Sequence, residues 1–447
     1  MPYSNEYASY QPLKRIVESD KVKDLLKEAR CLVRGDVQQS ISIHDAEEFT
    51  GVLPSAIVAI DGSIAEVDVA TGYPGAKVGY TSVASVILDL AAIDRLDTMR
   101  PADPVLFRKT EKASSDEAAL PGCNVVLQNH ASPMESFRGS LYKLFKDSLV
   151  DEDEGITILD TYNKLLSLRP QSDISCPCGE DCGLRATVSE NITTCPCNKQ
   201  KVVYPTDALR IHERFNADSG SNQEAYSYVM KVWEQLILVN LLQCLEKRNW
   251  LNKMSDIAIF MDGPLAVFGP PAWLSAAMSR ELRRINDIFK KESGHDLLIV
   301  GIEKTGQFIT HMTDLDKKSD GTSLFKPGQY FIPTDNYIKR NIQFSDSKKT
   351  YGEATYFGRK FMYKTRTGAL IIPCLATFSD EQADLTHDDI SKYPTAFKMF
   401  KLIDKLVTSR YENALTPLVS AHANAAIPLH LGRKVLSQLS STLMRKD

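Results

Sequence analysis

The sequence has little net charge, no long apolar run and no phosphate-binding loop. Its 53 basic and 57 acidic residues give a formal net charge of −4, so any contact with nucleic acid must come from a local basic patch or from a partner. No segment reaches the roughly 18 consecutive apolar residues of a membrane span. No glycine-rich loop of the Walker type occurs, so we expect any use of ATP to belong to a separate protein.

The N-terminal residues 1–20 also lack a basic stretch followed by an apolar one, and we therefore expect a cytoplasmic protein with no membrane segment. Internal repeats and low-complexity tracts are missing as well. The 43% hydrophobic and 25% charged content is that of a folded globular chain. A length of 447 residues allows one large core with insertions or two to three modules.

Apolar spacing predicts the order of elements in the first part of the chain. Residues 13–34 have the three- and four-residue spacing of an amphipathic helix that packs on the main body. Residues 55–61 and 64–69 are predicted as strands joined by a tight Asp-Gly turn. Residues 76–82 are predicted as a third strand and residues 83–96 as a helix.

The second part of the chain predicts alternating helices and strands. Residues 257–262 and 297–302 have the continuous apolar runs of buried strands, and a helix between them predicts a right-handed parallel crossover. The remaining predictions are helices at 134–149, 224–250, 271–292, 394–410 and 417–443, and a strand pair at 355–378.

Two of the predicted strands end in an aspartate, Asp61 and Asp262. Carboxylates at neighbouring strand ends can converge on Mg²⁺ or Mn²⁺, which prefer oxygen ligands, and a two-metal phosphodiesterase site needs several of them. Glu234, among apolar neighbours of the 224–250 helix, is the candidate third acid. Each residue also has a purely structural interpretation: a hairpin turn for either Asp-Gly pair and a salt-bridged helix residue for Glu234.

The order of several short motifs resembles the NurA nuclease family. These motifs are Ala59-Ile-Asp-Gly-Ser63, Trp233-Glu234, Met261-Asp-Gly-Pro-Leu265, Gly301-Ile-Glu-Lys304, Pro417-Leu-Val-Ser-Ala-His422 and Ala425-Ala-Ile427. They extend discontinuously from about residue 55 to 435, and their joint order is more specific than any one of them.

The resemblance implies an α/β fold of the ribonuclease-H-like, Piwi-related type, with a mixed sheet flanked by helices. It implies a homodimer that degrades DNA with Mn²⁺ or Mg²⁺ alongside a hexameric HerA-type ATPase translocase. Asp61, Glu234 and Asp262 would be metal ligands, and His422 a further ligand or a general acid/base. Lys304 would face the scissile phosphate. Taken alone, His422 is equally compatible with a packed helix histidine, and Lys304 with a solvated lysine.

Five of the nine cysteines fall within residues 176–197. Cys176-Pro-Cys178 and Cys195-Pro-Cys197 form two Cys-x-Cys pairs whose spacing can close a tetrahedral thiolate site around structural Zn²⁺, with Cys182 as an alternate ligand. The alternative is a reduced cluster without metal. We expect an N-terminal helical segment at 1–50 and a nuclease domain at 51–447, interrupted at 97–222 by a helical, zinc-binding insertion.

A basic strip with interleaved aromatic residues occupies a predicted strand. Its candidate nucleic-acid contacts are Arg359, Lys360, Tyr363, Lys364 and Arg366, since cations can hold phosphates while aromatic rings stack bases. A solvated edge strand protected by charged residues is the alternative.

The sequence therefore predicts a divalent-metal-dependent DNA exonuclease and endonuclease that acts with a HerA-type motor in DNA end processing or in defence against foreign DNA. Two rival functions stay open. One is a catalytically silent adaptor of the translocase, and the other is a Piwi-like nuclease acting on RNA-containing substrates.

Overall fold

The computed structural model describes residues 10–29, 41–69, 75–94, 111–169, 173–177, 184–197, 200–317, 321–407, 414–428 and 431–444. In these residues the helices, in chain order, are Gln11–Glu18 (α1), Asp20–Glu28 (α2), Leu90–Asp94 (α3), Pro133–Asp147 (α4), Ile158–Ser167 (α5), Gln223–Lys247 (α6), Trp273–Ser293 (α7), Gln307–Asp316 (α8), Asp335–Tyr337 (α9), Asp380–Ala383 (α10), Ala396–Leu406 (α11), Thr416–Ala425 (α12) and Leu431–Met444 (α13).

The strands of the same residues are His44–Asp45 (β1), Ala56–Asp68 (β2), Lys77–Asp89 (β3), Glu111–Pro121 (β4), Asp173–Ser175 (β5), Arg185–Thr187 (β6), Thr193–Thr194 (β7), Val202–Val203 (β8), Ile257–Asp262 (β9), Ile299–Glu303 (β10), Gln329–Phe331 (β11), Gly358–Lys360 (β12), Met362–Lys364 (β13) and Leu370–Ala376 (β14). Within the described segments, no helix combines the length and apolarity that crossing a bilayer requires.

Most of these strands belong to one mixed sheet. Its order is β1-β11-β13-β14-β10-β9-β2-β3-β4, and β12 also pairs with β14. β2 and β10 run parallel to β9, whereas β2 pairs antiparallel with β3 and β10 antiparallel with β14. The predicted strand-helix-strand crossover is confirmed as β9, α7 and β10. The predicted mixed α/β class is confirmed with it.

Helices cover both faces of this sheet. On β2, Val58 and Ile60 belong to a core cluster with side chains of α4, α5, α6 and α7, while Ile57 and Ala59 belong to a second cluster with α11 and α12. Successive side chains of a strand point to opposite faces. Each fully buried aliphatic side chain contributes about 1.5–3 kcal/mol, so the two cores fix which face each position of β2 presents.

The predicted hairpin turn at Asp61-Gly62 is wrong. β2 is one strand that pairs with β3 along its whole length, from Ala56 opposite Asp89 to Asp68 opposite Lys77. Gly62 is not among the glycines with positive φ, so no turn conformation occurs there. Asp61 consequently lies in the interior of a strand.

The helix predicted for residues 83–96 is wrong over most of its length. β3 continues to Asp89 and pairs antiparallel with both β2 and β4, and within the described residues 83–94 only Leu90–Asp94 is helical. The β-branched Val83, Val86 and Ile87 favour a strand. Pairing on both edges then stabilises it.

The N-terminal segment also differs from its prediction. Two helices, α1 and α2, separated by Ser19, replace the single helix over residues 13–29, and neither has a buried side chain. Residues 30–34 of that prediction lie outside the described residues. Leu13, Ile16 and Leu25 are more than half exposed. The expected packing of this segment on the main body is therefore wrong for residues 11–28.

Other helices agree with their predictions. The long helix at 224–250 is α6, the helix at 134–149 is α4 and that at 394–410 is α11. The helix predicted at 417–443 is divided into α12 and α13. In the segment 97–222, predicted as an insertion, the described residues include β4, which pairs with β3 at the edge of the main sheet. They also form α4, α5 and two small antiparallel pairs, β5 with β6 and β7 with β8.

Candidate active site

Asp61 and Asp262 lie side by side on the parallel strands β2 and β9. Their pairing ends with Ile60 opposite Met261, so the next residue on each strand is the aspartate. Both share a face with Ala59 and Phe260, which pack in the cluster that α12 covers. β2 continues past this point while β9 ends, and the two carboxylates lie at the resulting notch in the sheet.

His422 reaches the same notch from α12. This helix packs on β2 through the buried Leu418 and Ala421, and the backbone N–H of Ile427 donates to Ser63 Oγ at 3.2 Å. The Nδ1 atom of His422 lies 3.0 Å from Asp61 Oδ2. The His422 side chain is 61% exposed whereas that of Asp61 is 2% exposed, so the histidine connects a buried acid to the surface.

Glu234 approaches from α6, on the opposite face of the sheet. It is fully buried, and both of its carboxylate oxygens contact the ammonium of Lys231, at 3.2 and 2.9 Å. A Cβ on Gly62 would lie only 2.6 Å from Glu234 Oε1 and 2.7 Å from Met230 Cγ. Glycine at position 62 therefore leaves the space that the Glu234 carboxylate occupies.

Lys304 follows β10 and completes the group. Its ammonium lies 2.7 Å from Asp262 Oδ1, and both side chains are 27% exposed. The chain leaves β9 through Gly263, which has φ +88° and donates its N–H to the Ile302 carbonyl at 2.9 Å. A Cβ on Gly301 would lie 2.5 Å from the Gly263 carbonyl oxygen. Close backbone packing thus sets Lys304 against Asp262.

The three acids are close enough to perturb one another. Burial, and then the negative charge of Asp262, raise the pKa of Asp61, while His422, Lys231 and Lys304 oppose the increase. Burial raises the pKa of Glu234 to about 7, against the contact with Lys231 and together with the charges of Asp61 and Asp262. Burial alone would lower the pKa of Lys231, but Glu234 raises it. Such strongly perturbed groups are typical of functional sites.

Sequence reasoning missed Lys231 and misread Gly62. The only sequence signal for Lys231 is its position three residues before Glu234, where side chains of a helix meet. The Asp61-Gly62 pair has the composition of a turn. The role of Gly62 in leaving space for Glu234 depends on a helix about 170 residues later in the chain. The five predicted residues Asp61, Glu234, Asp262, Lys304 and His422 are nevertheless brought together.

The acid oxygens are more widely spaced than the donors of a closed metal site. Among the described residues, Cys176, Cys195 and Cys197 are the one group of three or more potential ligands that all lie within 4.8 Å of one another. At the notch, lysine ammonium groups contact Asp262 and Glu234. The donor chemistry suits a hard cation, and each carboxylate oxygen that contacts a lysine can still accept a second bond.

The cysteine cluster is separate from the acids. The Sγ atom of Cys176 lies 2.8 Å from that of Cys195 and 3.4 Å from that of Cys197. Both distances exceed the roughly 2.05 Å of a disulfide bond. Three gathered thiols can bind a metal ion. Cys178 and Cys182 lie outside the described residues.

The expected exposed basic strip is not present, which corrects the prediction of a nucleic-acid surface there. Arg359, Lys360, Tyr363 and Lys364 are all buried, and only Arg366, with a half-exposed side chain, matches the expectation. The buried four have protein partners: Lys360 with Glu303 at 2.7 Å, Lys364 with Asp316 at 2.6 Å, Tyr363 with Asp404 at 2.8 Å and Arg359 with the His387 carbonyl at 2.8 Å.

The chain matches no known family model. No curated protein matches it either. Two solved structures are similar along nearly their whole length: "Crystal structure of NurA", 11% identical, covering 98% of this chain and 99% of that one at a TM-score of 0.26, and "Crystal structure of NurA with manganese", 10% identical, covering 97% and 96% at a TM-score of 0.25.

Both structures bear the name of the family that the sequence motifs resemble. The identities and TM-scores are low.

Proposed function

We propose that the protein is a divalent-metal-dependent nuclease that hydrolyses the phosphodiester bonds of DNA. The observation that carries this proposal is the meeting of Asp61, Glu234 and Asp262, from three separate elements, with a lysine and a histidine at one notch of the sheet. A silent adaptor would have no need to hold three interacting acids together at a cost in burial and charge repulsion.

The acids fit a hard divalent cation, Mn²⁺ or Mg²⁺. Carboxylate oxygens are the ligands that such ions prefer, and burial of Asp61 and Glu234 removes competing water. The clearance at Gly62 supports a functional carboxylate at Glu234, since a larger residue would displace it. A bound ion would supply positive charge that activates a water molecule and stabilises the leaving oxygen.

The surrounding side chains suggest the remaining steps. With Nδ1 held against Asp61, His422 keeps Nε2 to exchange a proton with the attacking water or the leaving oxygen. Lys304 lies 2.7 Å from Asp262 Oδ1 and its side chain is partly exposed, so its ammonium can bind the scissile phosphate. The exposure of His422 and Lys304 is compatible with a polymer substrate.

We further propose a structural Zn²⁺ held by Cys176, Cys195, Cys197 and one thiol of Cys178 or Cys182. Three sulfurs within 4.8 Å of one another support it, and a closed thiolate site stabilises a fold without taking part in hydrolysis. Elemental analysis of the purified chain tests it. One zinc per chain is expected, and its absence would refute the site.

Several finer proposals go beyond the geometry of the site. The ribonuclease-H-like class of the sheet, the homodimer and the HerA-type hexameric partner in end processing or defence depend on the family resemblance. The division at residues 50 and 97–222 depends on the sequence pattern. Light scattering tests the dimer, and co-purification with a HerA-type ATPase tests the partner. A monomeric chain that does not co-purify with the ATPase would refute both proposals.

The central test is cleavage of labelled linear duplex and single-stranded DNA with Mn²⁺. Asp61→Asn and Asp262→Asn should each reduce the cleavage rate by more than about 100-fold. Mutation of a residue that only supports a metal ligand already lowers metal affinity or activity by about 10- to 100-fold. Asp404→Asn, which alters an acid bonded to Tyr363, is the matched control and should retain activity. Wild-type protein that cleaves only RNA would favour the Piwi-like alternative. Cleavage that persists in both the Asp61→Asn and the Asp262→Asn variants would refute the proposed site.

A further inference from the structure

Each acid of the notch already has a cationic or polar partner. Asp61 faces His422, Asp262 has Lys304 on one oxygen, and Glu234 has Lys231 on both oxygens. Lys231 thus takes the two-oxygen position on Glu234 that an ion bound by both carboxylate oxygens would use. This contact is local to α6, because the two residues are one helical turn apart.

The charges of the notch distinguish one ion from two. When all three carboxyl groups are ionised and His422 is neutral, the ammonium groups of Lys231 and Lys304 leave the notch with a net charge of −1. One divalent cation changes this to +1, which a phosphodiester anion neutralises. Two divalent cations would give +3 before substrate binds, in a site where Asp61 and Glu234 are buried and charge is poorly screened.

Among the described residues, the acids also lack the compact set of shared oxygens that two neighbouring ions need. A two-metal phosphodiesterase holds its ions about 3.5–4 Å apart between shared carboxylates. In the described part of the chain, no set of three acid or histidine ligand atoms at the notch lies within 4.8 Å of one another. The ammonium groups of Lys231 and Lys304 contact Glu234 and Asp262, where a two-ion centre would need shared carboxylate oxygens.

We propose that Lys231 takes the place of a second metal ion, so that the centre binds one divalent cation per chain and the lysine supplies the second positive charge. The inference rests on the proposed function, since it assigns the metal count of that same site. It corrects the two-ion centre expected from the acids alone. Lys231 acts here as a positioning residue that excludes the second ion.

The test is the Mn²⁺ stoichiometry of the zinc-loaded full chain, measured by calorimetric titration and by electron paramagnetic resonance. One isolated Mn²⁺ per chain at the notch is expected. Two Mn²⁺ with the spectrum of a spin-coupled pair would overturn this inference and leave the nuclease proposal intact. No Mn²⁺ binding at all would overturn both.

Variants at position 231 distinguish an effect of the lysine charge from an effect on folding. Lys231→Met frees both Glu234 oxygens, and its stoichiometry should increase from one to two, with a spin-coupled signal. Lys231→Arg keeps the charge and should stay at one. Lys247→Met, near the end of the same helix and paired with Glu154 at 3.5 Å, is the matched control and should also stay at one.

A Lys231→Met protein that still binds one ion would contradict the exclusion role. Circular dichroism and thermal unfolding establish whether each variant is folded. If Lys231→Met does not fold, the wild-type stoichiometry still decides whether the centre binds one ion or two. Activity is not needed for any of these readouts.

Discussion

Replacing Gly62 with alanine should disable the acid cluster without unfolding the protein. The added Cβ would lie 2.6 Å from Glu234 Oε1, and ordinary van der Waals contact begins at 3.4 Å, so the oxygen must retreat by about 0.8 Å. Metal–ligand distances tolerate only about 0.2 Å. We therefore expect the affinity for Mn²⁺ to decrease by about 10- to 100-fold.

The stability cost of this substitution should be modest. Overpacking a close contact costs about 1–3 kcal/mol, which is less than the roughly 5–15 kcal/mol by which domains are stable. Gly79→Ala is the matched control, because its Cβ would meet the Tyr226 ring of the same helix α6, away from the acids. Its unfolding free energy should decrease by a similar amount.

Calorimetric titration with Mn²⁺ and denaturant unfolding of both variants decide the matter. The expected pattern is a similar loss of stability in both variants and a loss of Mn²⁺ affinity in Gly62→Ala alone. Full affinity in Gly62→Ala would refute the role of Glu234 as a ligand. An equal affinity loss in Gly79→Ala would show that general disturbance of α6 is the cause.

Further substitutions test three other parts of the structure. Cys195→Ser should lower the unfolding free energy by about 3 kcal/mol or more through loss of zinc without changing Mn²⁺ affinity; a coupled loss of both would contradict separate sites. Burial alone would raise the pKa of Glu281, but hydrogen bonds from Arg284 and other neighbours lower it to about 2. Its ionised form therefore stabilises the fold at neutral pH and ceases to do so as the pH falls from about 4.5 through 2. The advantage of wild type over Glu281→Gln, about 1.5 kcal/mol after solvent screening, should disappear over that range in denaturant unfolding, and a constant difference would refute it. Lys364→Met should cost about 3 kcal/mol by leaving a buried carboxylate unpaired, whereas the half-exposed Arg366→Ala should change the unfolding free energy by less than about 0.5 kcal/mol; equal effects would contradict the assigned burial.

The strands at the centre of the sheet were predictable because their sequence signal is local. β9 and β10 are continuous apolar runs, and the proline after Gly263 excludes a continuing ladder at that point. The helix between them follows from its spacing. Asp262 at the end of β9 was therefore placed correctly from the sequence.

β2 and β3 were harder because local signals conflict with long-range pairing. Asp61-Gly62 has the composition of a hairpin turn, yet pairing with β3 over thirteen positions and the clearance required by Glu234 determine its actual role. Residues 83–89 have a spacing compatible with a helix. Pairing partners on both edges, which the sequence does not reveal, make them a strand.

The remaining wrong or missing predictions concern buried charged residues. Lys360 and Lys364 look like solvated cations because their partners Glu303 and Asp316 are about 50 residues away. Lys231 is paired with Glu234 three residues later, but the nearby charges of Asp61 and Asp262 come from strands distant in sequence. Charge-pair partners distant in sequence cannot be assigned from periodicity.

The most direct test of the metal centre is anomalous diffraction at the manganese edge from crystals of the protein soaked in Mn²⁺. One peak within bonding distance of the Asp61 and Asp262 carboxylates is expected, and it should be missing in Asp61→Asn crystals. A peak elsewhere, or none at the notch of the sheet, would contradict the assignment of these acids as a cation site.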